Sequence, residues 1–112
     1  MDADESLAQR EQALIELLKR LDADDADLRH DRADATADDE HDPEGVTLSS
    51  EWQRVEAVRA ATRIELDQVR AARVRVVNGT YGVCTGCGER IPAARLEAVP
   101  SATMCVACAS RA

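Results

Sequence analysis

Four cysteines carry the clearest chemistry in this 112-residue chain, and they fall in two pairs, Cys84-Thr85-Gly86-Cys87 and Cys105-Val106-Ala107-Cys108. Seventeen residues separate the pairs, which gives C-x2-C-x17-C-x2-C. A two-residue gap lets one turn aim two sulfurs and several backbone N–H groups at a single point, and two such turns close a tetrahedral shell of four thiolates. That shell suits one Zn2+. Because protein sulfur fills all four positions, no place is left for water or substrate, and the zinc is expected to be structural rather than catalytic. A CxxC pair is also the unit of dithiol exchange, but two pairs at zinc-ribbon spacing disfavour that reading. A redox-switched zinc protein would give itself away by releasing its metal and forming disulfides under mild peroxide.

The second group of candidate residues is acidic. The formal net charge of −8 is concentrated between residues 22 and 44, where eleven acids face only Arg29 and Arg32. The remainder of the chain is nearly neutral. Within that stretch Asp38, Asp39, Glu40, Asp42 and Glu44 crowd around Pro43, and Asp31 and Asp34 precede them. Carboxylates at this density repel nucleic acid and attract cations or a positively charged partner surface. A basic footprint for direct, sequence-specific DNA binding is missing.

Elements that could position both groups follow from composition and period. The chain is 45% hydrophobic, yet Trp52 and Tyr81 are its only aromatics and much of the apolar count is Ala. Such a composition favours long helices over a single large core. Leu7, Leu14, Leu21 and Leu28 recur every seven residues with Leu18 between, a coiled-coil seam interrupted by Glu11, Asp25 and Arg32. Ser6 and Gln9 offer a capping box at its start, and the helix is expected over 6–35, fraying beyond Leu28. Pro43 and Gly45 mark an acidic loop around 37–48. A second helix is expected over 50–77, from a Ser50/Gln53 capping box to Asn78-Gly79, with Val55, Val58, Thr62, Leu66, Val69 and Val76 as its stripe. Helices of equal length, each about 40–45 Å, joined by so short a connection form an antiparallel hairpin with the acids at its tip. The expected fold is therefore mainly α: an antiparallel two-helix coiled-coil hairpin, residues 1–78, followed by a small four-cysteine zinc finger, residues 79–112. Trp52 and Tyr81 read as packing residues.

Around the cysteines the sequence reads Gly79-Thr80-Tyr81-Gly82-Val83-Cys84, Cys87-Gly88-Glu89, Ile91-Pro92, Arg95-Leu96, Ala98, Pro100 and Cys105-Val106-Ala107-Cys108. This resembles the C4-type zinc finger of the DksA/TraR family, and the hairpin before it is that family's architecture. The resemblance implies a bacterial transcription regulator that binds RNA polymerase directly and inserts its coiled coil into the secondary channel, so that acids at the tip approach the active centre. It implies that no promoter DNA is read, and the protein is expected to be a cytoplasmic monomer. The family's tip is usually D-x-x-D-x-A. Asp39-Glu40-His41-Asp42-Pro43-Glu44 has that acid spacing near the hairpin midpoint, whereas Asp31-Arg32-Ala33-Asp34-Ala35-Thr36 matches the spelling better. Asp39 and Asp42 are the preferred pair, with Asp38, Glu40 and Glu44 around them, and Asp31 with Asp34 is the alternative. Ala109 stands where the family places a basic residue associated with the alarmone ppGpp, which leaves alarmone dependence open; Arg70, Arg73, Arg75 and Arg111 are the remaining candidates for phosphate contacts.

Two other functions fit parts of this pattern. A transcript-cleavage or antipausing factor would use the same channel, its acids holding a second catalytic Mg2+. A zinc-ribbon nucleic-acid-binding module would need basic residues on the finger, where only Arg90, Arg95 and Arg111 lie. No nucleophile, base and oxyanion donors converge, so no independent enzyme is expected. No apolar run is long enough to cross a membrane, and the first residues lack the pattern of a secretion signal.

Overall fold

A computed structural model describes residues 2–38 and 43–112. It contains two long helices, α1 (Ala3–Asp38) and α2 (Pro43–Asn78), and two short ones, α3 (Ala93–Ala98) and α4 (Val106–Arg111). Among the described residues no strand forms, and a single antiparallel bridge joins Val83 and Arg90. The chain divides into two compact units, Met1–Ala13 with Leu66–Ala112, and Leu14–Glu65.

Both long helices exceed their expected bounds for local reasons. Asp2, not Ser6, caps α1: its Oδ1 accepts the Glu5 N–H at 2.8 Å, which satisfies one of the free donors of the first turn. α2 starts at Pro43 rather than near Ser50. Proline is well placed at a first helical position, where it has no N–H to waste and its φ already suits the helix. The break expected from Pro43 and Gly45 is thus a helix start, and the connection between α1 and α2 is shorter than 37–48.

In the first unit, α1 and α2 run antiparallel, with Leu7, Val69 and Ala72 buried. Glu11 joins them through Arg70 Nε at 3.2 Å and Arg73 Nη1 at 2.8 Å, and Asp4 meets Arg73 at 3.4 Å. The two arginines hold the Glu11 carboxyl below its ordinary range, Arg73 first and Arg70 second.

In the second unit the helices are again antiparallel, and the layer that unites them is charged. Asp25 is only 4% exposed; its Oδ2 lies 3.1 Å from Arg59 Nη1 and 3.1 Å from Arg29 Nε. Glu56 bridges the same arginines at 2.6 and 3.2 Å, while Arg59 Nε donates to Asp22 at 2.8 Å. A hydrogen bond with the Glu56 carboxyl, then the charges of Arg29 and Arg59, keep Asp25 below the usual carboxylate range against the desolvation that would raise it. Trp52 stacks under Arg29, whose guanidinium carbon is 5.8 Å from the ring centroid, so this aromatic covers a cation rather than an apolar core.

The inward stripe of α2 differs from the expected one at one position. Val55, Thr62, Leu66 and Val69 are buried as anticipated, but Val58 is exposed and Arg59 turns inward instead. Buried Thr62 satisfies its hydroxyl on the Val58 carbonyl, 2.7 Å away.

Candidate zinc centre

α2 ends at Asn78, and the chain leaves it through Gly79 in the left-handed region, φ +77°. The Arg75 carbonyl then accepts two N–H groups, from Thr80 at 2.9 Å and Tyr81 at 3.2 Å. From this anchorage the first cysteine pair emerges, held by Cys84 N–H to Glu89 O and Ile91 N–H to Gly82 O, each 2.8 Å. The second pair opens α4. Cys105 is its N-cap, with the sulfur accepting from the Cys108 N–H, so one ligand also caps the helix that carries the other.

These two turns bring Cys84, Cys87, Cys105 and Cys108 together, with all four sulfurs within 4.8 Å of one another. The Cys84 and Cys105 sulfurs are 3.8 Å apart. That is about the edge of a tetrahedron built on Zn–S bonds of roughly 2.3 Å, so the donor set fits zinc in both chemistry and size. Cys84 and Cys108 are buried and Cys87 is exposed. A Cβ on Gly86 would sit 2.9 Å from both Cβ and Sγ of Cys108, so the first turn has room for glycine only.

Backbone donors are aimed at the sulfurs. Cys84 Sγ accepts from the N–H groups of Cys105 at 3.3 Å and Gly86 at 3.4 Å. Hydrogen bonds from the Cys105, Cys87 and Gly86 backbones bring the Cys84 thiol down to about 6. Cys108 moves the other way, to about 11, first through its hydrogen bond with the Cys105 sulfur and despite Arg111 nearby. Four close sulfurs resist ionising together, and a dication supplies the charge that lets them. Zinc bound here would be held by these four cysteines and would organise the finger. Its core is otherwise Ile91, with Leu96 and Met104 packed against Cys84 and Cys108.

The remaining singled-out residues are spread along the long helices. Asp31 is exposed on α1, Asp34 and Asp38 lie in its last turns, and Glu44 is in the first turn of α2. Asp39, Glu40 and Asp42 lie outside the described residues. The candidate phosphate-contacting arginines already have partners: Arg70 and Arg73 pair with Glu11, Arg75 with the Ser101 carbonyl, and Arg111 with the Cys108 sulfur. Tyr81, expected only to pack, donates its hydroxyl to Pro100 O at 2.7 Å.

Residues 79–112 match the prokaryotic dksA/traR C4-type zinc finger family. This segment is similar to the zinc fingers of that family. Its likeness to known proteins extends past the finger: General stress protein 16O of Bacillus subtilis (strain 168) is 40% identical over 68 residues, covering 61% of this chain and 42% of that protein. An 8.2 kDa protein of Escherichia phage P2, from the gpA 5′ region, is 51% identical over 43 residues, 38% of this chain and 58% of its own. The matched regions thus span less than two thirds of these relatives. In fold, the chain resembles the transcription factor DksA2 from Pseudomonas aeruginosa, with a TM-score of 0.57 and 22% identity over 98% of this chain and 95% of that one. The segment that matches this family follows two long helices, and the fold of the chain is like that of DksA2. No helix among the described residues is long and apolar enough to cross a membrane.

Proposed function

We propose that the protein is a bacterial transcription regulator that acts by binding RNA polymerase directly. The observation that carries this reading is the joint occurrence of a DksA/TraR finger at 79–112 and a DksA2-like fold over nearly the whole chain. In this reading residues 1–78 are a coiled-coil hairpin that enters the polymerase secondary channel, and the finger, residues 79–112, stabilises its base. The acids between residues 22 and 44 provide the charge, with Asp39 and Asp42 as the working pair and Asp31 with Asp34 as the alternative. A channel that admits nucleotides and holds catalytic Mg2+ favours carboxylates electrostatically.

The zinc has a structural role, because four protein sulfurs complete its shell. In this reading the protein is a binding factor rather than an enzyme, cytoplasmic, monomeric and without sequence-specific DNA contacts of its own. The test is binding of the zinc-loaded protein to purified bacterial RNA polymerase, coupled to a crosslinker placed at Asp38. Capture of polymerase with crosslinks inside the secondary channel is the expected result. Absence of binding at micromolar polymerase, or crosslinks confined to the outer surface, would reject the proposal.

A further inference from the structure

Neither a strand nor a long helix carries the second cysteine pair to the first. Between α3 and Cys105 the chain passes through residues 99–104, whose internal support is the Ala102 N–H to Val99 O bond at 3.0 Å. Outside groups take up four of the other carbonyls. Tyr81 Oη donates to Pro100 O at 2.7 Å, Arg75 Nη2 to Ser101 O at 3.3 Å, and Arg95 Nε to Met104 O at 2.7 Å. The Thr85 N–H, inside the first pair, donates to Thr103 O at 2.9 Å. The three side chains come from α2, from the segment after it and from α3. None of them is a metal ligand.

We propose that Arg95, Tyr81 and Arg75 are positioning residues for the zinc centre, holding loop 99–104 so that Cys105 and Cys108 face the first pair. Arg95 has the most direct leverage. A trans peptide is planar, so the Met104 carbonyl and the Cys105 N–H point in opposite directions from one rigid unit. Arg95 holds the carbonyl end, while the N–H end donates to Cys84 Sγ at 3.3 Å. The guanidinium therefore sets the rotation at which this peptide serves a ligand sulfur, and it fixes where Cys105 leaves the loop. Tyr81 and Arg75 act farther back, on the approach to that peptide. Groups that orient ligands without touching the metal typically carry about 10–100-fold of its affinity. The proposal concerns metal retention and stands independently of any polymerase binding.

The full-length chain tests it with Co2+ as a spectroscopic probe, whose thiolate charge-transfer and d–d bands report a tetrahedral sulfur site, and with zinc competition for affinity. Arg95→Met keeps the aliphatic stem and removes the donors; it should weaken metal binding by about 10–100-fold while far-UV circular dichroism shows α1 and α2 unchanged. Arg95→Lys restores a donor and should recover most of that loss. Affinity within about twofold of the parent in Arg95→Met, or a lysine variant as weak as the methionine one, overturns the positioning role. Should Arg95→Met lose its long helices as well, Tyr81→Phe decides, since it removes one hydroxyl: at least about a threefold loss of affinity is expected, and none overturns the proposal.

Discussion

The cysteine ligands declare themselves through spacing, because two residues between sulfurs is a local geometric requirement that a sequence displays directly. The groups that place them do not. Tyr81, Arg75 and Arg95 all donate to backbone carbonyls of one loop, and no residue type marks a carbonyl as needing a donor. Tyr81, one of two aromatics in the chain, reads as a packing residue, and Arg95 reads as one of the few basic residues on the finger. At this scale two outcomes are expected. Cys84→Ser or Cys108→Ser should release zinc and unfold the finger while much of the α1–α2 helix remains, since Ile91 is the only buried non-ligand in the finger's central cluster. Circular dichroism with a zinc assay checks this, and a folded, metal-free finger would contradict it. Gly86→Ala should impair zinc retention although it adds one methyl group, because that carbon would fall 2.9 Å from a ligand sulfur. Thermal zinc release, followed with a chromogenic chelator, should begin at lower temperature in this variant.

Helix by helix, the heptad leucines gave the pairing mode, but the interruptions carried more information than they showed alone. Glu11 and Asp25 weaken the stripe of α1 when read by themselves; with α2 opposite, each meets arginine, Glu11 at Arg70 and Arg73 and Asp25 at Arg59. A charge on one helix says nothing about its partner's register, and for the same reason Val58 looked like the better inward residue than Arg59. A buried charge must be matched, whereas a valine can be left in water at modest cost. Both carboxyls titrate below their ordinary values. A lowered folded-state pKa means that the stabilisation is complete above the unfolded value, near 4.5 for Glu11 and 3.8 for Asp25, and is lost as pH falls through the folded value. The thermal midpoint of the helices should therefore be insensitive to these groups from neutrality down to about pH 5 and decline in more acidic buffer. Asp25→Asn should lower that midpoint at pH 7 and shrink its acid-dependent fall. An unchanged midpoint at pH 7 would show that the buried pair adds nothing to the hairpin. Arg59→Gln should be more damaging at neutral pH, since it removes the cation shared by Asp22, Asp25 and Glu56, which then rely on Arg29 and Arg63.

For the molecule as a whole, the helical fold and the likeness of residues 79–112 to the DksA/TraR finger were legible together, because that motif is dense in glycines, prolines and cysteines whose roles are geometric. The ends of the acidic segment were less so: helical propensity and proline compete there, and Pro43 can either break a helix or begin one. If the acids act inside a polymerase channel, affinity and regulatory output should separate. Asp39→Asn with Asp42→Asn removes two charges with little change in side-chain size, and it should leave polymerase binding within a few-fold while reducing the effect on transcription. Asp31→Asn with Asp34→Asn, assayed in parallel, identifies which pair does the work. Full regulatory activity in both double variants would remove the acidic segment from the mechanism even if the protein still bound polymerase.

The position of Arg75 bears on how such fingers can be inherited. The recognisable family segment starts at residue 79, yet Arg75, four residues upstream, supplies a carbonyl to the finger's first two free N–H groups and a guanidinium to its far loop. Any helix can offer the carbonyl, but only a suitable side chain can reach Ser101. A crossover at the glycine would transplant four ligands and leave one of their supports with the donor parent, whereas a crossover one helical turn earlier would move them together. Recombination between relatives should thus tolerate junctions before Arg75 better than junctions at Gly79, and chimeras made at the two points should differ in how tightly they hold zinc.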